Sequence, residues 1–81
     1  MDQVQVLLCY KWEVYHGFNK VAGDIDTITC SYTKEAWKKQ NYYTILEELK
    51  SYMAERFDHK EDWIKGLSMK LLAVSYLPIN K

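Results

Sequence analysis

The chain has 81 residues, of which 48% are hydrophobic and 27% are charged, and its 11 basic and 11 acidic residues give a formal net charge of zero. This composition excludes a disordered or fibrous chain, and the length supports one small hydrophobic core. The balanced charge excludes strong electrostatic steering towards nucleic acid or an anionic membrane.

The first element predicted along the chain is a long β-strand over Val4–His16. Six apolar side chains occupy alternate positions in this segment, and a period of two residues is typical of a strand. One face of the strand is therefore wholly apolar. The other face carries Leu7, Cys9 and Tyr15 among polar residues, so it is only partly polar.

A second strand is predicted over Ile25–Tyr32, where β-branched and polar residues alternate. Residues 17–24 begin with Gly17 and include Gly23, which is typical of a connection. Because this connection is short, we expect the two strands to form an antiparallel hairpin.

Helical patterns follow the hairpin. Thr33 is a candidate cap for a short helical turn that extends to Lys39, and Asn41 is a candidate N-cap for the main helix. The main helix is predicted from apolar residues spaced by three and four, which form one face of an amphipathic helix. These residues are Tyr42, Ile45, Leu46, Leu49, Met53 and Phe57. Asp58, Glu61 and Gly66 predict a further short, capped turn.

The last predicted element is a third strand over Leu67–Leu77, which Pro78 ends. We expect two opposite faces along it. One face holds Leu67, Met69, Leu71 and Ala73, and the other holds Ser68, Lys70, Leu72, Val74 and Tyr76.

The predicted order is β-β-α-β, in a single small α+β domain over residues 1–81. We expect a three-stranded, fully antiparallel sheet in the order 2-1-3, with the main helix packed on one face and short helical turns flanking it. One helix covers only one face of such a sheet. The partly apolar second face therefore indicates a protein partner, or a second copy of the chain.

No metal or cofactor site is expected from the sequence. Two cysteines and two histidines are present, Cys9, His16, Cys30 and His59, but no two of them have the close spacing of structural zinc ligands. The three glycines form no phosphate-binding motif. Both cysteines lie in the middle of predicted strands, where a thiol is usually an inert core residue.

Catalysis is not expected either. Three pairs of neighbouring acids occur without a pocket signature, namely Asp24 and Asp26, Glu47 and Glu48, and Glu61 and Asp62. We interpret these acids as solvated turn and cap residues. The chain is therefore predicted not to be an enzyme.

Candidate binding residues fall into two groups. The segment Lys34–Tyr43 combines lysines with aromatic rings, and its candidates are Trp37, Lys38, Lys39 and Tyr43. The second group is Leu7 and Tyr15, on the second face of the first strand. Aromatic residues make up 15% of the chain, which is more than a core of this size needs and favours a binding surface.

The expected function is that of a non-enzymatic protein-binding module, a small inhibitor or regulator of a larger protein. In its size and general character the chain is comparable to small phage and mobile-element proteins that block a host or defence enzyme. This is an analogy and not a family match. The partner would be that larger protein, or the chain itself as a homodimer through the second sheet face. The alternative is nucleic-acid binding through the basic and aromatic segment Lys34–Tyr43.

We expect a cytoplasmic location and no membrane association. The N-terminus has no signal-peptide pattern, and no apolar run approaches the length of about 20 residues that spans a bilayer. Two cysteines are compatible with a compartment in which thiols remain reduced.

Overall fold

The computed structural model describes residues 3–77, and these residues form three strands and three helices. In chain order they are β1 (Gln3–His16), β2 (Asn19–Thr33), α1 (Lys34–Lys38), α2 (Tyr42–Arg56), α3 (Glu61–Lys65) and β3 (Leu67–Tyr76). The strands form one antiparallel sheet in the order β2-β1-β3, with the helices against it. The predicted α+β fold and strand order are confirmed. The predicted role of Pro78 lies outside the described residues.

The core lies between α2 and the apolar face of β1. The buried side chains of β1 are at even-numbered positions, and they contact three buried residues of α2 that are spaced by four. The core consists of Val6, Leu8, Tyr10, Trp12, Val14, Ile45, Leu49 and Met53. The predicted packing of the even-numbered face of β1 against the helix is confirmed, with Leu46 partly buried at its margin.

The hairpin between β1 and β2 is longer and tighter than predicted. Residues 19–24, which we expected to be part of a connection, belong to β2, and the turn consists of Gly17 and Phe18 alone. His16 pairs with Asn19 across this turn. Gly17 has a φ of +66°, as the first central residue of a type II′ turn requires. Because β1 supplies backbone partners, residues with modest strand propensity are recruited into β2.

Each outer strand has one extra residue at a β-bulge. Val21 is the extra residue in β2, and Leu72 is the extra residue in β3, opposite Cys9 and Tyr10 of β1. The bulge in β3 shifts the pattern of its faces. Val74 and Tyr76 pair with even-numbered β1 residues and so lie on the helix side of the sheet. Ala73 pairs with Cys9 and lies on the opposite side from Leu67, Met69 and Leu71, so the predicted facing of Ala73, Val74 and Tyr76 is wrong.

The helices begin at capping residues. The Thr33 hydroxyl accepts a hydrogen bond from the Ala36 N–H at 3.0 Å, which caps α1 as predicted. Asn41 and Thr44 form a capping box at the start of α2. The third helix starts later than predicted. Asp58 has a φ of +54° in the preceding turn, and the N-cap is Lys60, which makes no side-chain cap bond.

A close backbone contact fixes the end of α3 to β1. The Tyr15 N–H donates a hydrogen bond to the Gly66 carbonyl at 2.9 Å. A Cβ atom at Gly66 would lie 2.0 Å from the Tyr15 carbonyl oxygen, so the position requires glycine for steric reasons. The long hairpin and the short helices together give an elongated molecule of 47 × 20 × 18 Å.

Candidate functional site

The sheet face opposite α2 is not covered by any other element within residues 3–77, and we call it the open face. All buried residues of β1 are on the helix side, whereas its odd-numbered residues are half-buried or exposed. Cross-strand pairing places short side chains around the middle of β1. The two central rows consist of Thr29, Leu7 and Ser75, and of Thr27, Cys9 and Ala73.

The centre of the open face is a small apolar strip between hydroxyl groups. Leu7 and Cys9 are half-buried by their neighbours, while Thr27, Thr29 and Ala73 are exposed. Hydroxyls both donate and accept hydrogen bonds, and the short side chains keep the surface flat. A flat surface with an apolar centre and polar surroundings suits a protein partner better than a small molecule, which needs a concave site.

One end of the open face is charged. Glu13 forms ion pairs with Lys20 at 3.2 Å and with Lys11 at 4.0 Å. The hydrogen bond from Lys20 holds the pKa of Glu13 below its usual value. Lys11 lies directly opposite Lys70 of β3, and like charges in such a cross-strand pair repel each other. An acidic group of a partner would relieve this repulsion.

The helix side of the sheet has a polar rim that the sequence did not reveal. Asp26 accepts hydrogen bonds from the Trp12 indole N–H at 2.9 Å and from Arg56 at 3.0 Å. These two bonds lower the pKa of the Asp26 carboxyl. The expectation that Asp26 is a solvated turn residue is wrong, because its carboxylate connects β2 to the last turn of α2. Asp24 accepts a local bond from the Ile25 N–H at 2.8 Å.

A second polar contact on this side joins β2 to the first half of α2. The Tyr32 hydroxyl donates to Glu48 at 2.6 Å, and Gln40 also donates to Glu48 at 3.1 Å. Burial, together with the bond to Glu48, raises the pKa of Tyr32. Burial likewise raises the pKa of the neighbouring Cys30 thiol, which therefore stays protonated and poorly nucleophilic.

The predicted basic and aromatic segment Lys34–Tyr43 comprises α1, the connection after it and the first two residues of α2, and only part of it is exposed. The Trp37 ring packs against Tyr32 and Tyr76, with centroids 5.2 and 6.0 Å away, and its N–H donates to the Tyr76 hydroxyl at 3.1 Å. Lys38 and Lys39 are exposed. Trp37 is therefore a half-buried packing residue and not a free stacking platform.

Tyr43 is the exposed ring of this segment. The residue is 78% exposed, and its ring contacts Tyr42 edge to face at a centroid distance of 5.7 Å. Lys38 and Lys39, a few residues before Tyr43 in the chain, are also exposed. These residues offer one ring and two ammonium groups to a ligand.

The predicted binding residues do not form one site. Leu7 and Tyr15 both lie on the open face, but they are eight residues apart on one strand, about 26 Å at 3.3 Å per residue. Trp37 packs on the opposite side of the sheet. The structure therefore separates the candidates into an open-face group and a helix-side group.

The exposed Phe18 was not predicted, whereas Leu72, Val74 and Tyr76 had been assigned together to one face of the last strand. Phe18 is fully exposed at the tip of the hairpin, where the residue after Gly17 in a tight turn points into solvent. Leu72, Val74 and Tyr76 are exposed along β3. The signal for Phe18 was its place directly after a glycine at the end of a strand, but the turn length could not be read without the pairing.

The chemistry of the described residues is limited. Shallow clefts lie between the hairpin end and α3, where His16, Asp62 and Lys65 are among the lining residues. Among residues 3–77, no three His, Cys, Asp or Glu side chains are grouped closely enough to hold a metal ion. The thiols of Cys9 and Cys30 are both free.

The described helices include none with the length and apolar character that crossing a membrane requires. Comparison of the chain with protein-family models, with curated proteins and with solved structures gives no match.

Proposed function

We propose that this chain is a non-enzymatic protein-binding module that regulates or inhibits a larger protein by docking on it through the open face. The observation that carries the proposal is the flat, partly apolar centre of that face, formed around Leu7 and Cys9 and left uncovered by the described helices. Shape complementarity to a flat protein surface would bury this strip and leave the hydroxyl groups at its margin for hydrogen bonds.

The charged end of the open face defines the partner further. Lys11 and Lys70 are opposite each other, and Glu13 pairs with Lys20 at 3.2 Å and only more distantly with Lys11, at 4.0 Å. A partner with an acidic side chain at this position would gain an ion pair and remove a like-charge contact. The proposed partner surface is therefore flat, apolar at its centre and acidic at one side. The module would act in the cytoplasm, where the thiols of Cys9 and Cys30 remain reduced.

Affinity capture with matched variants tests this proposal. The wild-type chain, Leu7→Lys and Ser51→Lys are immobilised and exposed to the same extract, and retained proteins are identified. Ser51 is exposed on α2, so its variant adds the same charge outside the open face. We expect a protein that is retained by wild type and by Ser51→Lys and lost by Leu7→Lys, and that binds the purified chain in a direct titration.

A titration with oligonucleotides separates the alternative function. Lys38, Lys39 and Tyr43 are the exposed residues of the segment Lys34–Tyr43, on which the nucleic-acid alternative depends. Binding of single-stranded or duplex oligonucleotides that weakens steeply with salt, and that is lost in Tyr43→Ala but kept in Leu7→Lys, would replace the proposal with nucleic-acid binding. Retention that is equal for all three immobilised proteins would refute the role of the open face.

A further inference from the structure

The two outer strands of the sheet protect their edges differently. An edge strand presents unpaired N–H and C=O groups, which proteins usually guard with charges, proline or bulges. Both β2 and β3 have a bulge, but β2 also carries Lys20, Asp24 and Asp26 along its length. Lys70 is the single charged residue of β3. Within residues 3–77, β3 is therefore the less guarded edge.

The second half of β3 is suited to pairing with an identical strand. Residues 71–77 contain no charge and no proline, and they are mostly apolar. Leu72, Val74 and Tyr76 of this segment are 44%, 36% and 67% exposed. An exposed, uncharged, apolar edge of this kind is a template for another strand, and the same segment of a second chain matches it in hydrophobicity and length.

The side of α2 that points away from β2 has a self-complementary pattern. Glu48 and Arg56 reach β2, through Tyr32 and Asp26, so they define the β2 side of the helix. The opposite side carries a stripe at spacings of four, three and four. This stripe consists of Tyr43, Glu47, Lys50 and Ala54. Parts of α2 come within 8 Å of β3, and because the strand order is β2-β1-β3, the side of α2 that points away from β2 points towards the β3 edge.

Two such stripes fit each other when they run antiparallel. With a two-fold axis between residues 48 and 49, Glu47 faces Lys50 of the second copy, and the reverse pair forms by symmetry. The same axis sets Tyr43, which is highly exposed, opposite the small side chain of Ala54 of the second copy. Charge and size are both complementary in this arrangement.

The two-fold axis required by the helix stripe lies at the same height along the sheet as the centre of the uncharged segment of β3. Phe57 packs on Trp12 with ring centroids 5.4 Å apart, which anchors the end of α2. The point between residues 48 and 49 lies about 13 Å from Phe57 towards the start of α2. This distance corresponds to about four residues of β1, and counting four residues back from Trp12 reaches Leu8. Leu8 pairs with Val74 of β3. An axis there is near the centre of the uncharged segment of β3.

We propose that a second copy of the chain pairs antiparallel with the outer edge of β3, about an axis close to Ala73 and Val74. The sheet then has six strands in the order β2-β1-β3-β3-β1-β2, and the two α2 helices lie side by side on one face. Lys70 lies near Tyr76 of the second copy and away from the equivalent lysine. The two open faces become one continuous surface on the other side, so this dimer is independent of what binds there.

Charge reversal on the helix stripe tests the pairing. The dimer dissociation constant is measured by sedimentation equilibrium from about 1 µM to about 1 mM chain. Glu47→Lys and Lys50→Glu each turn two symmetry-related attractions into repulsions, so each should raise the dissociation constant about tenfold. The double variant restores opposite charges across the axis and should return the constant to near the wild-type value. Circular dichroism confirms that these surface variants remain folded.

A matched pair of bulge variants tests the edge itself. Leu72 and Val21 are each the extra residue of a bulge in an outer strand, and they are 44% and 45% exposed. Leu72→Lys places a charge on the proposed interface and should make the chain monomeric. Val21→Lys places the same charge on the opposite edge and should leave the dimer intact.

Several results would overturn the proposal. A wild-type chain that remains monomeric over the whole concentration range would do so. A dimer broken by Val21→Lys and not by Leu72→Lys would place the contact at β2, and one broken by Leu7→Lys would place it at the open face. If the double charge variant has a dissociation constant as high as those of the single variants, the antiparallel helix pairing is excluded. Of these results, only the effect of Leu7→Lys also bears on the proposed function, because a second copy would then occupy the open face.

Discussion

Leu7 and Leu8 are neighbours in β1 with opposite surroundings, and lysine at each position tests whether the sheet has one buried face and one open face. Leu8 is 1% exposed in the core beneath α2. Leu7 is half-buried on the open face, between Thr29 and Ser75. The two substitutions make the same chemical change one residue apart, so their difference reports the environment alone.

The expected loss of stability differs greatly between the two variants. Full burial of a leucine side chain contributes about 1.5–3 kcal/mol, and a lysine at Leu8 would lose this and also bury an ammonium group, at a cost of several kcal/mol. A chain of 81 residues has a free energy of unfolding of about 4–12 kcal/mol. Leu8→Lys should therefore leave little or no folded protein. Leu7→Lys should cost about 1 kcal/mol or less, because the lysine stem can cover the apolar strip while its ammonium group stays in water.

Urea unfolding followed by circular dichroism measures this difference. A chain of this size loses about 1 kcal/mol of stability per molar urea, so Leu7→Lys should shift the midpoint by about 1 M or less. Leu8→Lys should show no cooperative transition. If Leu7→Lys is as damaging as Leu8→Lys, the open face is covered in the folded protein. If it only converts a dimer to a folded monomer, the second copy docks on that face and not at the edge of β3.

Two further predictions concern single residues. Hydrogen bonds from Trp12 and Arg56 hold the pKa of Asp26 below its ordinary value of 3.8. The Asp26 carboxylate therefore contributes its full stabilisation above that pH, and this contribution is lost as the pH falls through the folded-state pKa. Asp26→Asn should thus be less stable than wild type at neutral pH and lose less stability on acidification in urea titrations; parallel curves for the two proteins would refute this. Gly66→Ala should cost about 3 kcal/mol or more, because its Cβ would lie 2.0 Å from the Tyr15 carbonyl oxygen. Gly17→Ala is the control, because its Cβ meets no atom within 4 Å, and it should cost about 1–2 kcal/mol from its positive φ alone. Equal urea midpoints for the two alanine variants would contradict the steric argument.

Much of the fold was predictable because its main signals are local. The alternation in β1 and the stripe of α2 each depend on residues that are close in sequence, and both lead directly to the observed core. Thr33 and Asn41 were recognisable as caps for the same reason, since a cap bonds to N–H groups two or three residues away.

The candidate site was less predictable, because its composition depends on pairing between distant segments. Leu7 was recognised as part of a second, partly apolar face. Its neighbours Thr29 and Ser75 are 22 and 68 residues away along the chain, and only the strand register brings them beside it. Trp37 was chosen as a binding residue, but contacts with Tyr32 and Tyr76 occupy it, and neither contact has a local sequence signal.

The sequence by itself determined the type and order of the elements, the apolar face of β1 and the helix stripe that covers it. The tertiary structure decided the length of β2, the orientation of the end of β3 and the role of Asp26. All three depend on pairing between distant segments. For the end of β3, a bulge of one residue reverses the facing of all later side chains in the strand. Leu72 is such a residue in β3, and its insertion follows from pairing with β1 and not from the local pattern. That pairing turns Val74 and Tyr76 to the helix side, and it turns Ala73 to the centre of the open face, beside Cys9.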